Sequence, residues 1–187
     1  MKAAEFRQRF LLQPQADSEA VPASDQFKAA VLVPVVDYGD KLNVLFTQRA
    51  LHLRHHPGQI SFPGGRIEPG ETSGVAALRE AEEEIGLSPA AVELLGTLPL
   101  QPTSTGFTIE PWVGLLSPQP GWILQADEVA GIFEVPLNHF LQQQNRHQFS
   151  LQLRGKTQQL HAMPYQDKFI WGATAAILHR LCLQLGE

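Results

Sequence analysis

Apolar residues along this chain keep a two-residue rhythm in some stretches and a three-to-four-residue rhythm in others, and the changes of rhythm divide it into elements. Residues 28–36 and 42–49 are runs rich in Val, Leu and Phe, separated by Asp37-Tyr-Gly-Asp-Lys41, and together they read as a β-hairpin. Residues 54–66 carry Pro57, Gly58, Pro63, Gly64 and Gly65 and are expected to be loop. The pattern becomes helical from about Thr72 to Ile85, with Gly86 as a C-terminal stop. Residues 92–98, 108–116 and 129–135 are predicted strands, and Pro136 opens a short helix to about Gln144. Residues 149–153 and 157–161 flank Arg154-Gly155-Lys156 as a second hairpin, and a last helix is predicted from Trp171 to about Leu185. A short helix over residues 1–13 and a polar linker over residues 15–25 precede them. Strands outnumber helices and hairpins mingle with longer connections, so the expected fold class is α/β, a mixed β-sheet packed between helices. The expected division is an N-terminal helix and linker, 1–27, followed by one domain, 28–187.

The helix predicted over 72–85 carries the chemistry. At a helical repeat, Glu80, Glu83 and Glu84 fall within about 100° of arc, and Val75, Leu78, Ala81 and Ile85 gather on the other side. One face is expected to pack and the other to be acidic, with Glu82 at the solvated rim. Carboxylates at i, i+3 and i+4 repel, and near a helix C-terminus the macrodipole disfavours each by roughly 0.3–1 kcal/mol. A cation should offset that cost. Oxygen ligands without Cys suit Mg²⁺ or Mn²⁺ rather than zinc. A plain solvated acidic face is the competing explanation.

Composition bounds the rest. The chain has 187 residues, 43% hydrophobic and 18% charged, which is ordinary for one globular domain. A formal charge of −5 argues against a nucleic-acid-binding surface, so recognition of an anion must be local. The single cysteine, Cys182, allows no intramolecular disulfide, and its apolar setting reads as burial. The amino terminus lacks the sustained apolar core of a signal peptide, and no aliphatic run is long enough to span a bilayer, so a cytoplasmic protein without a membrane partner is expected.

Gly65-Arg-Ile-Glu-Pro-Gly-Glu71, followed by Arg79-Glu80-Ala81-Glu82-Glu83-Glu84-Ile85-Gly86-Leu87, matches G-x5-E-x7-R-E-U-x-E-E-x-G-U at every charged and glycine position, with Ala81 in place of a larger aliphatic. The chain therefore resembles the Nudix hydrolases, metal-dependent enzymes that cleave a diphosphate linked to another moiety. Leu45-Phe-Thr47-Gln-Arg49-Ala50, Arg54, Gly58 and Phe62-Pro63-Gly64-Gly65 further resemble the coenzyme A pyrophosphatase branch, L-L-T-x-R-S-x3-R-x3-G-x3-F-P-G-G, with Phe46 and Ala50 as conservative departures. Ser104-Thr-Gly106, residues 128–136 and residues 171–178 look similar to that branch as well.

That resemblance implies the α/β/α Nudix sandwich and attack of water on one phosphorus, with Mg²⁺ or Mn²⁺ neutralising phosphate oxygens. It implies Glu80 and Glu84 as principal metal ligands, Glu83 as a third ligand or a base, and the Gly65 carbonyl as a further ligand. Glu71 and Arg79 would pair and support the loop–helix geometry without touching phosphate. Glu128 is the candidate general base, on a loop that approaches the metal face when substrate binds, with Asp127 and Glu110 behind it; the competing reading is a polar strand entrance. Arg49 and Arg54 are the candidate phosphate contacts, a guanidinium fork suiting phosphate, although either could serve a structural ion pair. His52, His55 and His56 lack the partners of a zinc site, and Phe62, Phe107 and Trp112 could stack on adenine or simply fill the core. The expected substrate is a small-molecule diphosphate, coenzyme A or its thioesters first. ADP-ribose, a dinucleoside polyphosphate or a nucleoside triphosphate comes next, and a non-catalytic nucleotide-binding module last. A homodimer is left open.

Overall fold

A computed structural model describes residues 1–13, 28–54, 56–103, 106–153 and 156–187. The expected linker over residues 15–25, together with His55, Ser104, Arg154 and Gly155, lies outside the described residues. Chain order runs α1 (Ala3–Leu12), β1 (Lys28–Asp37), β2 (Leu42–Arg49), β3 (Ile60–Ser61), β4 (Gly64–Arg66) and α2 (Ser73–Ile85). It continues with β5 (Val92–Thr97), β6 (Gln101–Pro102), β7 (Thr108–Leu116), β8 (Val129–Pro136), α3 (Leu137–Leu141), β9 (His147–Leu153), β10 (Lys156–Ala162) and α4 (Ala173–Gln184). Among the described residues, eight strands form one mixed sheet, and β9–β10 form a separate antiparallel pair.

Strand β1 is the axis of the sheet. One edge runs parallel to β7 from Lys28↔Thr108 to Val36↔Leu116. The other edge changes partner partway, pairing with β4 over Ala29 to Val31 and with β2 over Val35 to Asp37. Pro34 lies at that changeover. A proline, which cannot donate to a ladder, is tolerated here in a central strand because its missing N–H falls where neither β4 nor β2 is paired.

Alternation along β1 and β2 sorts the core into two faces. Ala30, Leu32, Val36 and Leu45 pack against Ala76, Ala77, Ala81 and Ile85 of α2. Val33, Val35, Val44 and Phe46 face the other way, against Phe6 and Phe10 of α1, Phe140 of α3, and Ile177, Leu178 and Leu181 of α4. The expected α/β/α sandwich is the result. Small residues on α2 let the helix lie close to the sheet, which is the role of Ala81. Gln184 of α4 donates to the carbonyls of Phe10 and Gln13 at 2.8 and 2.9 Å, satisfying the C-terminal end of α1.

Three expectations need correction. Val75 does not pack with the apolar side of α2: it is 56% exposed, and Ala76 and Ala77 take that place, because the buried arc is turned one residue further round. Residues 54–66 are not all loop; β3 pairs with Thr47 and Gln48, and β4 with β1. Such short strands are specified by the edges they meet rather than by their own composition. The last helix starts at Ala173, since Trp171 still bridges Ala162 and Gly172 turns the chain at φ 67.

The packing makes α1 part of the main core, with Phe6 fully buried. Phe6→Ala is expected to cost about 3–5 kcal/mol in urea-denaturation stability. A change below about 1 kcal/mol would show that α1 contributes little to it.

Candidate active site

The acidic edge is formed where β4 runs beneath the middle and last turns of α2. Thr72 caps that helix, accepting from Val75 N at 3.4 Å, and Trp112 of β7 donates Nε1–H to Ser73 Oγ at 3.0 Å while its ring packs on Gly74. Gly86 closes the helix in the left-handed region, φ 70, and its N–H donates to the Glu82 carbonyl at 2.9 Å. These fixed ends set the rotation of α2 over the sheet. Glu84 consequently points inward and is only 5% exposed, Glu80 is half-buried, and Glu83 has a side chain 60% exposed.

The phase of the β1–β4 ladder decides which backbone groups reach the carboxylates. Leu32 N donates to Pro63 O and Ile67 N to Lys28 O, so Ala30 and Gly65, between them, occupy the same hydrogen-bonded phase. The N–H and C=O of Gly65 therefore face β1, contrary to the expectation of a Gly65 carbonyl at the acidic edge. Gly64 and Arg66 turn theirs toward α2. Gly64 N donates to Glu84 Oε2 at 3.3 Å, and Arg66 O accepts from Arg79 Nη2 at 3.1 Å. What Gly65 provides is the lack of a side chain: a Cβ there would lie 2.6 Å from Glu80 Oε2 and closer still to its Cδ.

Arg79 organises three of the acids. Its Nε and Nη2 donate to the two oxygens of Glu71 at 2.9 and 3.2 Å, and its Nη1 donates to Glu80 at 3.0 Å and Glu83 at 3.1 Å. The pairing anticipated for Glu71 and Arg79 is thus present. The Arg79 guanidinium holds the Glu71 carboxyl below the usual carboxylate range. It also supplies part of the cation that the acidic turn requires.

Among the described residues Glu84 has no such partner beside it. Burial pushes its carboxyl up to about 8, helped by the charges of Glu80 and Glu128 and opposed by the Gly64 N–H and by Arg49. Glu80 is raised too, chiefly by burial and against the pull of Arg79. Glu128 thus adds negative charge at Glu84 and Arg49 positive charge. Arg49 is carried there by the end of β2, where the register with β8 slips between Gln48 and Arg49. Arg54 is exposed in the following loop, with His52 and His56 exposed beside it.

The segment bearing Glu128 is held to the end of α2 and to Ala50 by backbone hydrogen bonds. Ile123 N and Gln125 N donate to the last carbonyls of α2, Ile85 at 3.2 Å and Glu84 at 2.9 Å, and Ala50 N donates to Glu128 O at 2.8 Å. Asp127 is exposed, and Glu110 sits in β7 opposite Ala30. Phe62 is core, stacked on Phe46 at 5.1 Å, whereas the Arg66 guanidinium lies 5.3 Å from the half-buried Phe107 ring.

Among the described residues no three His, Cys, Asp or Glu form a ready cage for a metal ion. Glu83 is drawn outward to Arg79. Mg²⁺ needs no such cage, because it keeps several waters and is held by one or two carboxylates plus substrate oxygens. A buried, under-neutralised Glu84 beside Glu80, with only oxygen donors around, fits a hard divalent ion.

A raised carboxyl pKa has a defined sign. The folded chain binds the Glu84 proton more tightly than the unfolded chain, so this stabilisation is full below the ordinary value of 4.5 and is lost as pH rises toward about 8. Burial holds His161 and His179 below 6.5, which acts in the opposite sense up to that value, so the informative quantity is a difference. In EDTA, Glu84→Gln should gain stability over wild type between pH 5 and 8, by on the order of 1–4 kcal/mol in denaturant titrations. A difference that stays constant across that range would contradict the buried acid.

The NUDIX domain model matches residues 26–164. A Salmonella paratyphi B protein described as "Uncharacterized Nudix hydrolase NudL" is 43% identical over 183 residues, covering 97% of this chain and 93% of its own. Among solved structures, the NUDIX domain of Shewanella oneidensis NrtR complexed with ADP ribose superposes with a TM-score of 0.50 at 25% identity, covering 76% of this chain and 88% of that one. A Caenorhabditis elegans Ap4A hydrolase has a TM-score of 0.51 at 21% identity over 59% of this chain and 80% of its own, a likeness of fold. With the signature helix, its glycine loop and these relatives in agreement, the chain belongs to the Nudix hydrolase family and acts on a diphosphate linkage.

Proposed function

We propose that this hydrolase cleaves coenzyme A or its thioesters to adenosine 3′,5′-bisphosphate and 4′-phosphopantetheine or its acylated form, using Mg²⁺ or Mn²⁺. The observation that carries the reading is the meeting of the buried Glu84 with Glu80, Gly64 and the charge of Arg49 at one edge of the sheet. Glu80 and Glu84 hold the ion, with the Gly64 carbonyl, in phase with that of Arg66, replacing Gly65 as the backbone ligand. The ion supplies neutralisation of the charge that builds on the phosphate oxygens. Arg49, whose charge is felt at Glu84, binds the diphosphate. Glu128, held near the acids by its backbone tethers, takes the proton from the attacking water. Glu83 can ligate or act as a base only after leaving Arg79, and Glu71 with Arg79 fixes the loop against the helix.

Coenzyme A is preferred because Arg49 and Arg54 bracket the turn that leads to the glycine loop, giving two fixed charges for a substrate with three phosphates. ADP-ribose is the second reading, favoured by the ligand of the Shewanella oneidensis NrtR domain.

The test compares kcat/KM for coenzyme A, 3′-dephospho-coenzyme A and ADP-ribose in wild type, Arg49→Ala and Arg54→Ala. Arg49→Ala should slow every diphosphate, and Arg54→Ala should erase the preference for coenzyme A over its dephospho form. Each lost charge-assisted contact corresponds to about 1.5–3 kcal/mol, roughly 10- to 100-fold. Equal wild-type values for the first two substrates, or a preference for ADP-ribose, would overturn coenzyme A while leaving diphosphate hydrolysis intact.

A further inference from the structure

A cleft of about 450 Å³ opens where β2 and β3 meet the segment leading into α4, lined by Gln48, Gln59, Ile60, Lys168, Phe169 and Trp171 among others. Its size is that of a small-molecule site. One wall belongs to the chain that builds the acidic edge: Gln48 precedes Arg49, and Ile60 lies four residues before Gly64, a reach of at most about 14 Å. Arg49 N donates to Gln59 O at 3.0 Å and Gly58 N to Arg49 O at 3.2 Å, so the Gln59 wall and the arginine are fixed to one another.

The opposite wall is a tight hairpin over residues 162–171. Tyr165 and Lys168 exchange both backbone hydrogen bonds at 2.9 Å, Met163 N donates to Ile170 O at 2.8 Å, and Gly172 N donates to His161 O at 3.0 Å. Side chains alternate along an extended segment, and Ile170 is fully buried in the core, so Phe169 and Trp171 are both turned outward. They are 56% and 42% exposed, two large aromatic surfaces held at the cleft by a rigid backbone. Thr174 Oγ1, just beyond, donates to Ile60 O at 3.0 Å and joins this wall to β3.

The chemistry of the walls selects the occupant. The Lys168 ammonium lies 3.2 Å from Asp167, so the pair offers no net charge and the cleft favours a neutral group over a phosphate. Exposed aromatic faces stack on any planar heteroaromatic ring, and a glutamine carboxamide presents the donor and acceptor that match the edge of adenine.

Building on the diphosphatase reading, we propose that this cleft is the purine subsite, in which Phe169 and Trp171 receive the base of a nucleotide substrate while its diphosphate lies at Glu80 and Glu84. Gln48 and Gln59 read the edge of the base. Selectivity for the nucleotide half of the substrate then resides in the 162–171 hairpin, outside the signature helix.

Calorimetric titration with adenosine 5′-monophosphate, ribose 5-phosphate and 4′-phosphopantetheine tests this without any hydrolysis. Wild type should bind the adenosine monophosphate at least about tenfold more tightly than ribose 5-phosphate, and Trp171→Ala and Phe169→Ala should each lose about 5- to 100-fold of that affinity, the worth of one base–aromatic stack. Trp171→Phe, which keeps a ring, should restore most of it. The idea is overturned if wild type does not distinguish the two phosphates, if both alanine variants bind adenosine monophosphate as wild type does, or if 4′-phosphopantetheine is the ligand whose affinity falls. Because no bond is cleaved, failure here leaves the metal chemistry standing, and failure to hydrolyse any diphosphate leaves this binding result standing.

Discussion

The burial of one carboxyl group, Glu84, is the constraint on which the rest of the site depends. A carboxylate placed almost out of water is costly unless donors or cations meet it. Here, among the described residues, a single N–H from Gly64 is aimed at it, while Glu80 and Glu128 press it toward the protonated form. The position is retained by the fold, since α2 is locked at its N-terminus by Thr72, Ser73 and Trp112 and at its C-terminus by Gly86 and the segment from Ile123 to Gln125. A site that is unfavourable to the empty protein and favourable to a bound divalent ion is a familiar compromise between stability and function.

Arg79 limits the cost of the remaining acids. It bonds both oxygens of Glu71, reaches Glu80 and Glu83 with one nitrogen, and holds the Arg66 carbonyl with another. The same side chain thus joins the loop after β4 to the middle of α2. Glu80 is brought against Gly65, where only a glycine leaves room. Loop, helix and charge are therefore one arrangement, and the spacing of the signature reflects it: Glu71 must reach Arg79 across the turn, and Glu80 must fall on the glycine.

Much of this was legible in the residues. Helical periodicity placed Glu80 and Glu84 one turn apart, and the three-layer fold followed from the order of strands and helices. Periodicity also treats charged residues as outward-facing, so it could not show Glu84 entering the core or Val75 leaving it. The phase of β4, which exchanges Gly64 for Gly65, depends on pairing with β1 and has no mark in a three-residue glycine-rich strand. The tether of Glu128 is made entirely of backbone hydrogen bonds, which no side-chain pattern announces. Trp171 read as the start of a helix because one aromatic residue before an apolar run is ambiguous; its bridge to Ala162 decides the matter.

The central claim is that Glu84, with Glu80, holds a divalent ion at the edge of the sheet. Direct titration with Mn²⁺, following the free ion by electron paramagnetic resonance, measures this without substrate. The account predicts an occupied site in wild type whose affinity falls by on the order of tenfold or more in Glu84→Gln and in Glu80→Gln, both variants remaining folded. Mn²⁺ affinity unchanged from wild type in Glu84→Gln would contradict it.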